Sequence, residues 1–93
     1  MRGRNFDLLT RLRVRAGLAE KGLRRRDVNR AMDGYDERIL AMASVQSGVT
    51  VPNFAEAALG DGTIIKAIIE FFNSEAGKKL IDALIQLLLS FIG

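Results

Sequence analysis

From Lys66 to Ser90 a polar residue falls at every fourth position: Lys66, Glu70, Ser74, Lys78, Asp82, Gln86 and Ser90, with nearly everything between them apolar. That spacing belongs to helices. One straight helix over 63–92 would be about 45 Å long. At about 100° per residue, a spacing of four overshoots a full turn by about 40°, so six steps wind the polar stripe through about 240°. A single straight helix cannot keep such a stripe on one face. Ser74 is a helix-capping residue type, and Gly77 is a poor interior residue. The segment therefore predicts two helices, 63–72 and 75–92, forming a hairpin, with one long kinked helix as the alternative. Lys66–Glu70, Glu75–Lys79 and Lys78–Asp82 are i,i+4 charge pairs, each worth a few tenths of a kcal/mol to a helix.

The rest of the chain also reads as helical. Residues 5–21 predict a first helix in which Leu8, Leu9, Leu12, Ala16 and Ala19 share an apolar face. Asn5 or Asp7 serves its start and Gly22 its stop, while Gly17 weakens it by about 1 kcal/mol relative to Ala. A short helix follows at 24–32, then a turn at Asp33-Gly34. A third is predicted at 35–47, with Ile39, Leu40, Ala43 and Met42 inward, Asp36 and Glu37 in the first turn, and Gly48 at the end. Val49 to Pro52 reads as extended, because the residue before a proline avoids the helical region. Asn53 with Glu56 resembles a capping box for a short helix over 54–59. The expected fold is all-α: a small bundle of short helices with a hydrophobic C-terminal helical hairpin or kinked long helix. Its parts are an Arg-rich helical part at 1–59, basic up to residue 38, a Gly-rich hinge at 60–62 and a hydrophobic tail at 63–93.

Ninety-three residues hold one domain whose core is only marginally sufficient. With no Cys there is no disulfide or thiolate metal site, and with no His zinc would have only carboxylates to bind. The usual acid–base and thiol chemistry cannot be built either. Ser44, Ser47, Ser74 and Ser90 lack a nucleophile context, and Asp33, Asp36 and Glu37 lack the spacing of a calcium loop. Gly60-Asp61-Gly62-Thr63 opens a helix but has no following Lys, so it reads as capping rather than a phosphate loop. No catalytic residue, cofactor or metal site is expected.

Charge is distributed unevenly. All ten arginines lie between Arg2 and Arg38. Residues 1–40 carry eleven basic and six acidic side chains, and residues 41–93 three basic and five acidic. Arginine presents a planar fork suited to carboxylate and phosphate. Arg24, Arg25, Arg26 and Arg30, with Arg11 and Arg15 on the first helix, are the candidate contacts for an acidic partner or phosphate. The plainer alternative is a solvated face whose arginines are neutralised by Asp7, Glu20, Asp27, Asp33, Asp36 and Glu37. No aromatic residue interleaves the run at 24–26, so base stacking is not suggested.

The tail's apolar arc exceeds what the first half offers as packing partners. Three coverings are open: the chain's own bundle, other protein subunits (a homo-oligomer or hetero-assembly), or lipid. Ile68, Phe72, Leu80, Leu84, Leu88 and Phe91 are the candidate oligomer or membrane interface. A simple membrane span needs about 20 apolar residues, and the clean run here is Ala83–Ile92 with Gln86 inside it.

No secretory signal is visible, since Asp7 and the arginines at 11, 13 and 15 interrupt any apolar stretch near the start. The chain begins at Met1 and reads as a complete small product, placed inside the cell or within a particle, with membrane association as a further option. Residues 22–49 carry a helix-turn-helix rhythm whose second helix opens with Asp36 and Glu37, which repel phosphate. An Arg-rich arm joined to a sticky helical tail resembles, in style rather than in any motif, the minor structural or assembly proteins of virus and phage particles. The expected function is non-enzymatic: a small structural or assembly subunit whose tail oligomerises or docks and whose Arg-rich half contacts an acidic protein or nucleic acid. The alternatives are a membrane-associated amphipathic or pore-forming protein and a small helix-turn-helix DNA binder.

Overall fold

The computed structural model describes residues 4–52 and 62–92. It contains α1 (Arg4–Glu20), α2 (Arg25–Asp33), α3 (Glu37–Ser47), α4 (Gly62–Asn73) and α5 (Glu75–Leu89), with no strand among the described residues. The all-α expectation is therefore met, and the tail is two helices divided at Ser74. The short helix expected at 54–59 and Gly60-Asp61 of the hinge lie outside the described residues. Gly62, the hinge's last residue, is the first of α4.

Capping chemistry sets most of the helix boundaries. Gly22 and Gly48 take positive φ values of 87° and 72°, where a side chain would be strained. Gly48 ends α3, and the following Val49 N–H donates back to the Ser44 carbonyl at 3.2 Å. Asp36, expected within the first turn of α3, sits one residue earlier as its cap, accepting from the Ile39 N–H at 2.9 Å. Ser74 caps α5 by accepting from the Gly77 N–H at 3.2 Å, while its hydroxyl donates to the Phe71 carbonyl at 2.5 Å. One serine thus satisfies the end of α4 and the start of α5 together. α5 stops at Leu89, and residues 90–92 form a turn rather than a last helical stretch.

Gly77 has a role that helix propensity does not reveal. A Cβ there would lie 1.9 Å from the Phe71 carbonyl oxygen and 2.8 Å from the Phe72 Cα. The missing side chain lets the last turn of α4 lie directly on the first turn of α5.

α5 is the hub, packing against α1, α2, α3 and α4. Gly77, Leu80, Ile81, Leu84, Ile85 and Leu88 are its buried residues. They recur at spacings of three and four and so cover one broad face. The core also takes Val14 and Leu18 from α1, Val28 and Ala31 from α2, Ile39, Leu40 and Ala43 from α3, and Ile64, Ile68 and Phe72 from α4. The basic and apolar parts of the sequence therefore share one hydrophobic core.

The expected apolar face of α1 is corrected. Leu8 and Leu12 are 54% and 55% exposed, and Ala16 and Ala19 are exposed as well. The buried stripe is Phe6, Thr10, Val14 and Leu18. Thr10 tolerates burial because its hydroxyl donates to the Phe6 carbonyl one turn back, at 2.7 Å. Two contacts set this rotation. The Phe6 ring stacks on Phe72 at 5.8 Å and lies 6.3 Å from Phe71. Gly17 faces Ile85 so closely that an added Cβ would lie 2.4 Å from its Cδ1 atom. Close helix approach and aromatic stacking outweigh the count of leucines on the other side. Met42, also expected inward, is exposed on α3. Among the described residues, the i,i+4 ion pair that closes is Asp7–Arg11 at 3.2 Å, not one of the three expected in the tail.

Candidate interaction surface

The six arginines singled out from the sequence lie on α1, on α2 and at the residue before α2. On α1, Arg11 and Arg15 are one turn apart and both are exposed. The Arg11 guanidinium lies over the Tyr35 ring, 4.6 Å from its centroid, while its Nε donates to Asp7 Oδ2. Arg15 donates to Asn29 Oδ1 on α2. Both side chains of α1 are therefore held toward the α2 side. On α2, Val28 and Ala31 turn inward, which leaves Arg25, Arg26 and Arg30 in solvent. Arg24 occupies the N-cap position with extended backbone and makes no side-chain cap. Among the described residues, the side chains of Arg24, Arg25, Arg26 and Arg30 have no hydrogen-bond or ion-pair partner. The neutralised-face alternative accordingly holds for Arg11 and not for these four.

Asn29 joins the two groups. It accepts from Arg15 and stands three and four residues after Arg26 and Arg25, spacings that share a helix face. Of the acids next along the chain, Asp36 is occupied as the cap of α3.

The tail residues named as an interface lie elsewhere than expected. Ile68, Phe72, Leu80, Leu84 and Leu88 are buried within the chain's own core, and Phe91 is exposed with one ring edge against Gly34. In this fold the first five are covered by α1, α3 and their own helices, not available to a second molecule. The bundle is completed by residues that the leucine pattern did not mark, among them Phe6, Thr10, Val14 and Tyr35.

Exposed apolar surface occurs at two other places. Ile65 and Ile69 on α4 are 41% and 47% exposed, and α1 adds Leu8 and Leu12. Between α1 and α4 a cleft of about 280 Å³ is lined by Leu9, Leu12, Ala16, Ile69 and Phe72, with Arg13 and Asn73 at its edges. On α3, Ala41, Met42 and Val45 form a second apolar face flanked by Arg38 and Gln46. Nothing in the sequence marked these as outward, because their helical spacing matches that of core residues. The useful signal was Gly17, whose presence on the opposite face of α1 marks the side that comes close to a neighbour.

Two further observations bear on what the surface can do. Among the described residues no helix is long and apolar enough to cross a membrane, and no three Asp or Glu side chains gather as a metal site. α2 and α3 do not pack on one another among the described residues; each rests on α5. The geometry offers a basic face and an apolar cleft. No protein-family model, curated protein or solved structure matches the chain.

Proposed function

We propose that this chain is a non-enzymatic assembly subunit, a small adaptor in a multi-chain structure such as a virus or phage particle, which docks an acidic protein on its α1–α2 arginine face. The observation that carries the reading is the set Arg24, Arg25, Arg26 and Arg30, exposed and without partners among the described residues. Exposed arginine forks gather at interfaces because they bind carboxylates through two parallel hydrogen bonds. Arg11 and Arg15 extend the same face in fixed directions, which lowers the entropy lost when a partner binds. An acidic protein fits better than a nucleic-acid backbone for two reasons. Asp33 stands three residues after Arg30 and interrupts the positive run, which a continuous line of phosphates tolerates less than separately placed carboxylates, and Leu8 and Leu12 stand exposed on the helix that carries Arg11 and Arg15. The absence of His and Cys from the chain supports a role without catalysis.

The test is binding of a Glu-rich peptide and of a DNA duplex at low salt, followed by fluorescence anisotropy. The triple variant Arg25→Ala/Arg26→Ala/Arg30→Ala removes three exposed contacts worth about 0.5–1 kcal/mol each, so peptide affinity should fall roughly tenfold or more. Absence of binding to both probes sinks the reading. Tighter binding to the duplex, with a salt slope that the triple variant reduces, moves the partner to nucleic acid.

A further inference from the structure

We infer that Phe91, in the turn after α5, locks the α2–α3 turn and through Tyr35 fixes the direction of Arg11 in the basic face. This rests on the arginine-face reading and deepens it by naming what holds that face in its binding shape.

Gly34 is the starting point. Its place between two helices suggests a turn that requires glycine, yet its φ of −82° and ψ of −7° are right-handed backbone open to any residue. Conformation does not explain this glycine, but space does. A Cβ there would lie 2.8 Å from Phe91 Cδ2 and 3.0 Å from Phe91 Cε2. The bare Cα is the seat of the Phe91 ring. The ring reaches that seat on a fixed support. The N–H groups of Ser90, Phe91 and Ile92 donate to the carbonyls of Leu87, Leu88 and Leu89 at 3.2, 3.1 and 3.2 Å. The Ser90 hydroxyl also donates to the Leu87 carbonyl, at 2.5 Å. These bonds continue α5 in a tighter winding, and Ile92 packs against the core. Phe91 is 53% exposed, but the turn that carries it is anchored to the hub helix.

From Gly34 the effect passes to the next residue. The N–H groups of Gly34 and Tyr35 donate to the Ala31 and Met32 carbonyls, both at 3.0 Å, and close the end of α2. Tyr35 is buried, and the Arg11 guanidinium lies 4.6 Å from its ring centroid. A shift of the Gly34–Tyr35 step therefore moves the surface on which Arg11 rests. Arg11 would keep Asp7 and lose its second support. A guanidinium already held in one direction loses less entropy when it meets a carboxylate. Phe91 thus acts through Arg11, as a positioning residue that need not touch the partner.

Two variants of the full chain attack the contact from its two sides: Phe91→Ala removes the ring, and Gly34→Ala fills its seat. Tyr35 is the single tyrosine and the chain has no tryptophan, so the tyrosine signal in near-ultraviolet circular dichroism reports on the turn. That signal should change in both variants while the far-ultraviolet spectrum stays helical. In chemical denaturation, Phe91→Ala should lower the midpoint of the wild type. It should leave the midpoint of Gly34→Ala unchanged, because the ring is already displaced there. Losses that simply add overturn the seat. Binding of the Glu-rich peptide should weaken about two- to fivefold in Phe91→Ala, the range for one exposed charge contact. In an Arg11→Ala background the same substitution should weaken binding no further, a result that general destabilisation does not produce. Equal weakening in both backgrounds overturns the route through Arg11. An unchanged tyrosine signal in Phe91→Ala overturns the coupling to Tyr35. If the wild type binds no Glu-rich peptide, the arginine-face reading falls and takes the binding role of Phe91 with it. The midpoint comparison then decides the seat by itself.

Discussion

α1 and α5 both carry leucines at helical spacing, yet they use them in opposite ways. α5 buries Leu80, Leu84 and Leu88 completely, while α1 leaves Leu8 and Leu12 more than half exposed. The residues α1 buries instead are Phe6, Thr10, Val14 and Leu18, a stripe that contains a hydroxyl and adjoins a glycine. Hydrophobicity alone ranks the wrong face first. What decides is how closely a face can approach its neighbours, and a threonine whose hydroxyl is satisfied inside its own helix packs like a β-branched apolar residue. An exposed leucine pair on a helix whose other side is well packed is then surface left over after folding, and it is open to a partner.

Substitutions can break this contrast. Leu84→Ala should cost about 3–5 kcal/mol, the range for a fully buried leucine whose cavity cannot collapse. For a chain this small that is a large part of the total stability, and chemical denaturation would register it as a large fall in midpoint. Gly77→Ala comes next and tests the sign of an effect. Helix propensity alone predicts a gain of about 1 kcal/mol. The 1.9 Å approach to the Phe71 carbonyl predicts a net loss instead, about 1–3 kcal/mol, because the obstacle is backbone and cannot swing aside. A stabilised Gly77→Ala variant would mean that α4 and α5 are further apart than described. Ser74→Ala should cost about 1 kcal/mol through the lost cap, read as a small drop in thermal midpoint. Leu12→Gln should change stability by less than about 0.5 kcal/mol. A loss comparable to that of Leu84→Ala would show that α1 buries the other face.

Much of the fold was legible in the sequence because its punctuation is chemical. Gly22, Asp36, Gly48 and Ser74 stop or start helices where their side chains, or lack of them, dictate. The break in the tail followed from arithmetic on a spacing of four. Rotation about the helix axis was less legible. Leu8, Leu9 and Leu12 outnumber Val14 and Leu18, and only the packing of Phe6 on Phe72 and of Gly17 beside Ile85 reveals which face is inside. The arginines were legible as a cluster, but their partition was not. That Arg11 and Arg15 are held by Tyr35, Asp7 and Asn29, while Arg24, Arg25, Arg26 and Arg30 stay free among the described residues, depends on contacts between elements 14 to 24 residues apart as well as local ones. Five of the six tail residues expected to meet other subunits or lipid lie instead in the chain's own core, and Phe91 is exposed; the first half supplied too few visible leucines to show that the chain could cover them itself.

The position of α5 as the hub has a consequence for how the molecule comes into being. Every other helix leans on α5, and all four precede it along the chain. Synthesis proceeds at about 5–20 residues per second, so for several seconds α1 exists with its stripe complete and its main support not yet translated. The described core cannot be completed until α5 has been made. A variant that weakens α5 would therefore lower the yield of native molecules by prolonging that exposure, beyond what its equilibrium stability alone implies.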